Sequence, residues 1–258
     1  TTVLITGAAH GQGKLHALRF AESGADVALC DLPDGKLPTV PYPLGTSEKL
    51  ETVAEQCRSM GVRAYTAIAD VRSEGQVQAF VDGAAKELGK IDVAIANAGI
   101  ASIVDTVEMP EETWDVLVDI NLKGVFLTLK HAGRHMLQQG HGGSLIATGS
   151  VHSYTGVPGS SHYVAAKHGV AGLCKSMAIE LAPHKIRVNA LSPGTIDTAF
   201  HQRHSTPDKL EATRKGIPMA RLGTAEDCAG TALYLASEAM SGYVTGQVIE
   251  VNGGQLMA

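Results

Sequence analysis

The sequence predicts an α/β protein built on a doubly wound, seven-stranded parallel sheet with helices on both faces. Two observations carry this expectation. Short aliphatic runs alternate with helical stretches along the chain, and aromatic residues make up only 4% of its 258 residues. This alternation is typical of parallel sheets, whose strands are buried on both faces and prefer aliphatic side chains. No low-complexity linker or internal repeat divides the chain, so we predict one domain over residues 1–258.

Seven β-branched and aliphatic runs are expected to form the strands. They lie at residues 3–6, 27–30, 64–68, 93–97, 144–148, 187–192 and 247–251. Six helices are expected between them, at residues 14–23, 47–60, 73–88, 111–139, 161–182 and 225–236. In open sheets of this kind, ligands bind outside the carboxyl ends of the strands.

A glycine-rich turn joins the first predicted strand to the first helix. Gly7 permits the sharp turn, and Gly11, Gln12 and Gly13 open the helix, where exposed amides and the helix dipole favour a pyrophosphate. Such turns are often plain loops. Here the second strand follows and ends at Asp31, which completes the context that a dinucleotide site requires.

The acid at the end of the second strand indicates which dinucleotide binds. The Asp31 carboxylate can accept hydrogen bonds from ribose hydroxyls and would repel a 2′-phosphate, and the adjacent Leu32 offers no cation. His10 could attract the phosphate only if it were protonated, and a lone loop histidine is more often neutral. The sequence therefore favours NAD over NADP.

Tyr163 and Lys167 lie four residues apart in a predicted helix, with Ser150 upstream. Four-residue spacing places phenol and ammonium on one face of the helix. A free phenol has a pKa of about 10, and a neighbouring cation in a desolvated pocket is expected to lower it enough for proton transfer. The Ser150 hydroxyl could polarise the same substrate oxygen. Alone this spacing is common among surface residues; beside a nucleotide loop it indicates alcohol or carbonyl redox chemistry.

These motifs together resemble the short-chain dehydrogenase/reductase family, from residue 2 to residue 254. The matching residues stand in the family's order and spacing: Thr6, Gly7, Gly11 and Gly13, then Asn97-Ala98-Gly99, Asn121, Ser150, Tyr163 with Lys167, and Pro193-Gly194. The resemblance implies a Rossmann fold and a homotetramer in which helices 111–139 and 161–182 pair across one interface. It also implies that Ser150, Tyr163, Lys167 and Asn121 are catalytic.

The resemblance assigns a backbone role to Asn121 and a contact role to Asp70. A local helix distortion would turn the Asn121 carbonyl toward a water that contacts Lys167, although a capping or interhelical amide is the alternative. Asp70 and Val71 would contact adenine, although Asp70 could instead cap the next helix.

Further cofactor contacts are implied at the ends of later strands. Asn97, Ala98 and Gly99 would pass beside the ribose, although Ala96 replaces the first of the two asparagines usual in the family. Tyr163 and Lys167 would also contact the cofactor. In the segment that begins at Pro193 and Gly194, the Ile196 backbone would bind the nicotinamide carboxamide, and Thr198 would contact the amide or the phosphate. Residues 195–216 are expected to form a substrate lid, with a surface loop as the alternative.

One segment is longer than the family's usual connection and contains four prolines between Asp31 and Ser47. Proline makes it stiff and extended rather than helical. This segment, together with Gly11-Gln12-Gly13 and residues 165–169, resembles the carveol-dehydrogenase-like, mycofactocin-associated subgroup, although Gly149 stands where another serine is common. That resemblance implies an insertion covering the adenosine end of a tightly retained NAD, with hydride passed to an external redox carrier.

Composition argues against several other classes of protein. The net charge is −5 without any basic block, and no apolar run reaches membrane length. We therefore expect no nucleic-acid or membrane partner. No signal-peptide pattern precedes the first strand, and the four scattered cysteines suit free thiols in the cytoplasm. His152, His162 and His168 come nearest to a metal cluster but lack partners at ligand spacing, so no metal is expected.

The sequence thus predicts an NAD-dependent oxidoreductase that interconverts a secondary alcohol and a ketone. His152, Ser153, Tyr154, Val157 and Phe200 are expected to line a pocket for a cyclic or terpenoid alcohol, although a sugar, steroid or acyl thioester would also suit it. Two alternatives remain: a β-ketoacyl reductase, which would normally favour NADP, and a non-catalytic NAD sensor, which has little reason to keep Ser150, Tyr163 and Lys167.

Overall fold

A computed structural model describes residues 1–33, 37, 39–40, 42–197 and 206–257 of the chain. Its seven strands form one parallel sheet in the order β3-β2-β1-β4-β5-β6-β7. The strands are β1 Thr2–Thr6, β2 Asp26–Asp31, β3 Ala64–Ile68, β4 Val93–Ala96, β5 Gly143–Thr148, β6 Ile186–Pro193 and β7 Val248–Val251. All seven predicted strands are confirmed within one or two residues at each end.

Helices cover both faces of the sheet, as predicted for a Rossmann fold. They are α1 Gly11–Glu22, α2 Ser47–Ser59, α3 Glu74–Leu88, α4 Glu111–Val118, α5 Gly124–Gln139, α6 Ser161–Leu181, α7 Pro207–Gly216, α8 Ala225–Ala236 and the short α9 Glu238–Ser241. One apolar core lies under α3, α4, α5 and α6, and a second lies under α1, α2 and α8. The central strands are buried on both faces because each core packs against one side of the sheet.

One helix prediction needs correction, and α7 was not predicted as a helix. The single helix expected over residues 111–139 is interrupted by a π-helical turn at Asp119–Lys123. The expected lid contains α7, which has no buried residue among those described and therefore lacks the apolar periodicity that would have indicated it. Its signals are local: Thr206 accepts a hydrogen bond from the Lys209 amide, and Pro207 occupies the first turn. Residues 198–205, including Thr198 and Phe200, lie outside the described residues.

The turn between β1 and α1 packs directly against the end of β4. Gly7 has a positive φ of 67°, and a Cβ atom there would lie 2.8 Å from the Ala98 Cα atom. A Cβ atom at Gly13 would lie 2.1 Å from the Gly7 carbonyl oxygen. Both glycines are therefore required for close backbone approach at the centre of the sheet's carboxyl edge.

No described helix is both long and apolar enough to cross a membrane. Cys30, Cys57, Cys174 and Cys228 are all buried and form no disulfide.

Gly13→Ala should lower the free energy of unfolding by about 1–3 kcal/mol, because the added methyl group meets rigid backbone rather than a flexible side chain. The matched control is Gly230→Ala in α8, where an added Cβ has no atom within 4 Å and removing backbone freedom should stabilise the helix slightly. Urea denaturation of both variants measures the difference. Equal midpoints for Gly13→Ala and wild type would contradict the packing argument.

Candidate active site

A cavity of about 510 Å³ opens at the carboxyl edge of the sheet. This volume lies within the range of about 300–1,000 Å³ typical of small-molecule sites. Most of the predicted site residues line it: Gly7, Gly11, Gln12, Asp31, Leu32, Asp70, Val71, Asn97, Ala98, Gly99, Asn121, Ser150, Tyr163, Lys167, Pro193, Gly194 and Ile196. Gly13 acts instead through the backbone packing beside the cavity, and Thr198 lies outside the described residues.

Ser150 is held at the end of β5 by its own turn. Its Oγ accepts a hydrogen bond from the His152 amide at 3.2 Å, and its amide donates to Ser153 Oγ at 3.3 Å. Ser150 and Tyr163 both line the cavity, and hydrogen bonding by Ser150 acts to lower the pKa of the phenol. Ser153 was expected in the substrate pocket, but it is buried and fixes Ser150 instead. The turn therefore presents the Ser150 hydroxyl to the phenol.

Tyr163 and Lys167 lie on one face of α6, as their spacing predicted. The Lys167 Nζ atom donates to the Thr148 carbonyl at 2.6 Å and lies 5.5 Å from the centroid of the Tyr163 ring. Burial lowers the pKa of Lys167 to about 8. Burial also raises the pKa of Tyr163, and the hydrogen bond from Ser150 opposes that rise. The expected lowering of the Tyr163 pKa by Lys167 is thus not observed in the protein alone, where burial is the largest influence on that pKa.

Asn121 lies within the π-helical turn and is fully buried. Its Oδ1 accepts from the Ile100 amide at 2.8 Å, and its Nδ2 donates to the Ile100 carbonyl at 2.8 Å. The helix distortion that the resemblance implied is therefore present. The Asn121 side chain has a structural role that the sequence did not indicate, because it holds the loop after β4 through Ile100.

The Asp31 carboxylate is held firmly at the end of β2. Its Oδ2 accepts from the Ala9 amide at 2.9 Å, and its Oδ1 accepts from the Leu32 amide at 2.8 Å. A Cβ atom at Gly45 would lie only 2.4 Å from this carboxylate. Burial lowers the pKa of His10, although Asp31 opposes the shift, so His10 is neutral at neutral pH. No charge on His10 is therefore available to attract a 2′-phosphate.

The proline-rich insertion, here called the strap (residues 32–46), contributes several of its described residues to the cavity wall. Leu37, Tyr42 and Leu44 are buried and line the cavity. The Ala101 amide donates to the Tyr42 Oη at 2.8 Å, which joins the strap to the loop after β4. Burial raises the pKa of Tyr42 to about 12, so its phenol is neutral. Sequence reasoning missed Tyr42; its signal was an aromatic residue within a stiff proline-rich segment.

Two predicted contact residues have strong partners within the protein. Asp70 is paired with Arg72, whose Nη2 lies 2.6 Å from the carboxylate. Burial opposes ionisation of Asp70, but Arg72 holds the pKa of that carboxyl below its usual value. The Asn97 Nδ2 donates to the carbonyls of Thr6 and Gly7 at 3.1 and 3.2 Å. Asn97 therefore stabilises the glycine turn as well as lining the cavity.

His152 lies edge-on to the Tyr163 ring, with 6.2 Å between ring centroids. Its Nδ1 is 3.1 Å from Thr155 Oγ1, and that hydroxyl donates its own proton to the Val151 carbonyl. We therefore assign the proton to Nδ1, which leaves Nε2 as an acceptor. Burial lowers the pKa of His152, which keeps the ring neutral. Tyr154 and Val157 are partly exposed on the same segment.

No three His, Cys, Asp or Glu side chains converge on a metal-binding point within the described ranges. Of the three histidines that came nearest to a cluster in the sequence, His162 bonds to Ser102 and His168 to the Val164 carbonyl.

Known proteins of related sequence match this chain over nearly its whole length. A family model described as enoyl-(acyl carrier protein) reductase matches residues 7–255. (−)-trans-Carveol dehydrogenase of Rhodococcus erythropolis is 41% identical, over 97% of this chain and 95% of that protein. The 3-oxoacyl-(acyl-carrier-protein) reductase of Staphylococcus aureus is 40% identical, over 99% and 98% respectively.

A solved structure also matches this chain over nearly its whole length. Carveol dehydrogenase from Mycobacterium avium, in complex with NAD, superposes with a TM-score of 0.94 at 35% identity, covering 99% of this chain and 97% of that one. The chain belongs to the short-chain dehydrogenase/reductase family and is an oxidoreductase of that family. Its similarity to two carveol dehydrogenases confirms the predicted resemblance to that kind of enzyme.

Lys167→Met should raise the free energy of unfolding of the cofactor-free protein at pH 7 by about 1–3 kcal/mol. The reason is that burial lowers the pKa of Lys167 to about 8 from 10.5. Below pH 8 the folded protein bears the full cost of a buried ammonium. Between pH 8 and 10.5 it loses this proton before the unfolded chain does, so wild-type stability rises and the variant's advantage shrinks.

Urea denaturation from pH 7 to pH 10 measures this effect. The control is Lys123→Met, since the Lys123 side chain is 49% exposed beside Asp119 and contributes little. A Lys167→Met variant that is less stable than wild type at pH 7 would show that the Thr148 hydrogen bond outweighs the burial cost.

Proposed function

We propose that this chain is an NAD-dependent dehydrogenase that interconverts a secondary alcohol and a ketone. The observation that carries the proposal is the convergence of Ser150, Tyr163 and Lys167 on one end of a cavity whose wall also includes the Asp31 carboxylate. Proton-transfer groups and a ribose-binding acid in one cavity are what hydride exchange between an alcohol and a dinucleotide requires. We further propose that residues 1–258 form one dinucleotide-binding and catalytic domain, with residues 195–216 as its substrate lid.

The residues present fit NAD. The glycine turn offers backbone amides and space for a pyrophosphate, and Asp31 offers a carboxylate that two amides already orient. His10 is neutral and the strap lies close to Asp31, so neither charge nor space favours a 2′-phosphate. The related carveol dehydrogenase in complex with NAD supports this assignment. Asp70, Val71, Asn97, Ala98 and Gly99 would line its path, and Pro193, Gly194, Ile196 and Thr198 would hold the nicotinamide end.

In the proposed mechanism, NAD would supply the hydride acceptor during alcohol oxidation. Tyr163, ionised as the phenolate, would remove the hydroxyl proton from the substrate, and Ser150 Oγ would donate a hydrogen bond to the oxygen as it becomes a carbonyl. Lys167 is positioned by Thr148 to stabilise negative charge on the phenol oxygen. The Asn121 backbone, freed by the π-helical turn, would hold the water that carries the proton onward.

A cyclic or terpenoid alcohol is the proposed substrate class, supported by the similarity to (−)-trans-carveol dehydrogenase. A 3-oxoacyl thioester is the second candidate, which the similarity to 3-oxoacyl-(acyl-carrier-protein) reductases favours. Asp31 argues against that candidate if its reduction requires NADP. A non-catalytic NAD sensor is least consistent with the site, because binding alone does not need Ser150, Tyr163 and Lys167 together in one cavity.

We also propose that NAD is retained between turnovers and reoxidised in place by an external redox carrier. The supporting observation is the strap, whose Leu37, Tyr42 and Leu44 form part of the cavity wall and whose Tyr42 bonds to the opposite loop. A cofactor beneath this segment would leave only after the Tyr42–Ala101 hydrogen bond breaks.

A cytoplasmic homotetramer is the proposed form of the protein. Trp114 on α4, Phe126 on α5 and Ile179 on α6 expose 39, 41 and 79% of their surfaces, which is a cost that a subunit interface would remove. The buried free cysteines suit a reducing compartment.

Tyr163→Phe should lower turnover by about 10²–10⁴-fold, because it removes the proton-transfer group. NAD binding, measured by fluorescence titration, should change little.

Turnover of the wild-type protein and of the variant is measured with a panel of secondary alcohols, once with added NAD and once with an artificial electron acceptor. Wild-type activity with the artificial acceptor alone would support retention of NAD between turnovers. Wild-type activity with neither would favour the non-catalytic NAD sensor. Wild-type turnover in Tyr163→Phe would remove Tyr163 from the mechanism.

Tyr42→Phe should release bound NAD about five- to tenfold faster, because the Ala101 amide loses its acceptor and the strap loses one attachment. The matched control is Tyr65→Phe in β3, where the ring stacks on Phe80 away from the cavity. The absorbance of NAD that remains after timed dialysis measures release. If the wild-type protein retains no NAD after dialysis, the retention proposal is wrong.

A further inference from the structure

Tyr163 lies in a helical turn that has no side-chain cap. It is the third residue of α6, and the N-cap residue Ser160 makes no side-chain hydrogen bond to the helix. The first turn of a helix has unsatisfied amides and frays readily when nothing caps it. A phenol that must meet a substrate oxygen within hydrogen-bond distance needs a better-fixed backbone than such a turn provides by itself. Another contact must therefore hold this turn.

A buried hydrogen bond at the adjacent residue provides that contact. His162 is fully buried and Ser102 is 6% exposed, and the distance from Ser102 Oγ to His162 Nε2 is 2.7 Å. Burial lowers the pKa of His162, so a neutral ring shares this bond with the hydroxyl. Because residues 162 and 163 are consecutive in one helical turn, fixing the His162 side chain also fixes the backbone that carries Tyr163.

The other partner belongs to a loop that is itself well fixed. Asn121 binds both backbone groups of Ile100, and Tyr42 accepts from the Ala101 amide. Ser102 follows directly. The Val104 amide also donates to the Gly159 carbonyl at 2.8 Å, which joins the same loop to the segment before α6. Ser102 therefore belongs to a loop that several hydrogen bonds hold in place. It follows three residues after Gly99, which lines the cavity.

We propose that Ser102 and His162 are positioning residues for Tyr163, which hold the first turn of α6 against the loop that lines the cofactor cavity. The inference rests on the proposed role of Tyr163 as the proton-transfer group. Neither residue lines the cavity, so their effect passes through the position of the phenol rather than through contact with substrate or cofactor.

The kinetic test separates kcat from binding. Ser102→Ala and His162→Leu should each lower kcat about tenfold, because each leaves a buried partner without its hydrogen bond. The dissociation constant of NAD should stay within about twofold of wild type, since the glycine turn and Asp31 are untouched. His162→Gln, whose amide can still reach Ser102 Oγ, should recover most of the lost kcat. A loss of NAD affinity equal to the loss of kcat would instead show that the pair merely folds the cofactor loop.

The matched control is Ser160→Ala. It removes the weaker 3.4 Å contact between Ser160 Oγ and the Ser102 carbonyl and keeps the Ser102–His162 bond. This variant should retain wild-type kcat. Equal losses in Ser160→Ala and Ser102→Ala would overturn the assignment, as would wild-type kcat in Ser102→Ala.

A spectroscopic measurement tests the proposal without turnover. In protein labelled with ¹³C at the tyrosine Cζ, Tyr163→Phe identifies the resonance of Tyr163. That resonance should shift or broaden in Ser102→Ala, whereas the resonance of Tyr65 should not. An unchanged Tyr163 resonance would refute the positioning role. If wild type turns over no alcohol with either acceptor, the proposed function fails, and this resonance still decides the role of the pair.

Discussion

The close approach of the Gly7 turn to the end of β4 is the constraint on which the rest of the site depends. β1 and β4 are neighbours in the sheet, and the chain order reverses between them. Gly7 and Gly13 leave no room for side chains there, and Asn97 donates to the carbonyls of Thr6 and Gly7. This packing places the glycine-rich amides beside the loop after β4, at the edge of the sheet where open α/β proteins bind ligands.

The loop after β4 joins three parts of the site through successive residues. Ile100 is held by Asn121 in the π-helical turn, Ala101 by Tyr42 in the strap, and Ser102 by His162 in α6. Each hydrogen bond is buried or partly buried, so breaking one leaves an unsatisfied group in a poorly hydrated place. The strap, the π-helical turn and α6 are thereby joined to the same loop.

Electrostatics in the cavity are governed by desolvation more than by ion pairs. Burial lowers the pKa of His10 and Lys167 and raises that of Tyr163 and Tyr42. Each shift moves the pKa in the direction that favours the neutral form of the group relative to the same group in water, because charge is costly away from water. The Asp31 carboxylate is stabilised by two amides, which suits a neutral ribose diol better than a phosphate. A positive nicotinamide ring would add the charge that favours an ionised phenol.

The sequence by itself determined the strands, most of the helices and more than half of the cavity-lining residues. The strands, the glycine turn and the Tyr163–Lys167 pair follow from local patterns in the sequence. The contacts at Asp70, at Asn97 and after Pro193 were expected through the family resemblance. The π-helical turn was expected only through resemblance, and α7 lacks the periodicity that would have indicated it. The tertiary structure alone decided the bonds of Asn121 to Ile100, Tyr42 to Ala101 and Ser102 to His162. Their partners are 21, 59 and 60 residues apart, and no local pattern records which distant groups the folding of the sheet brings together.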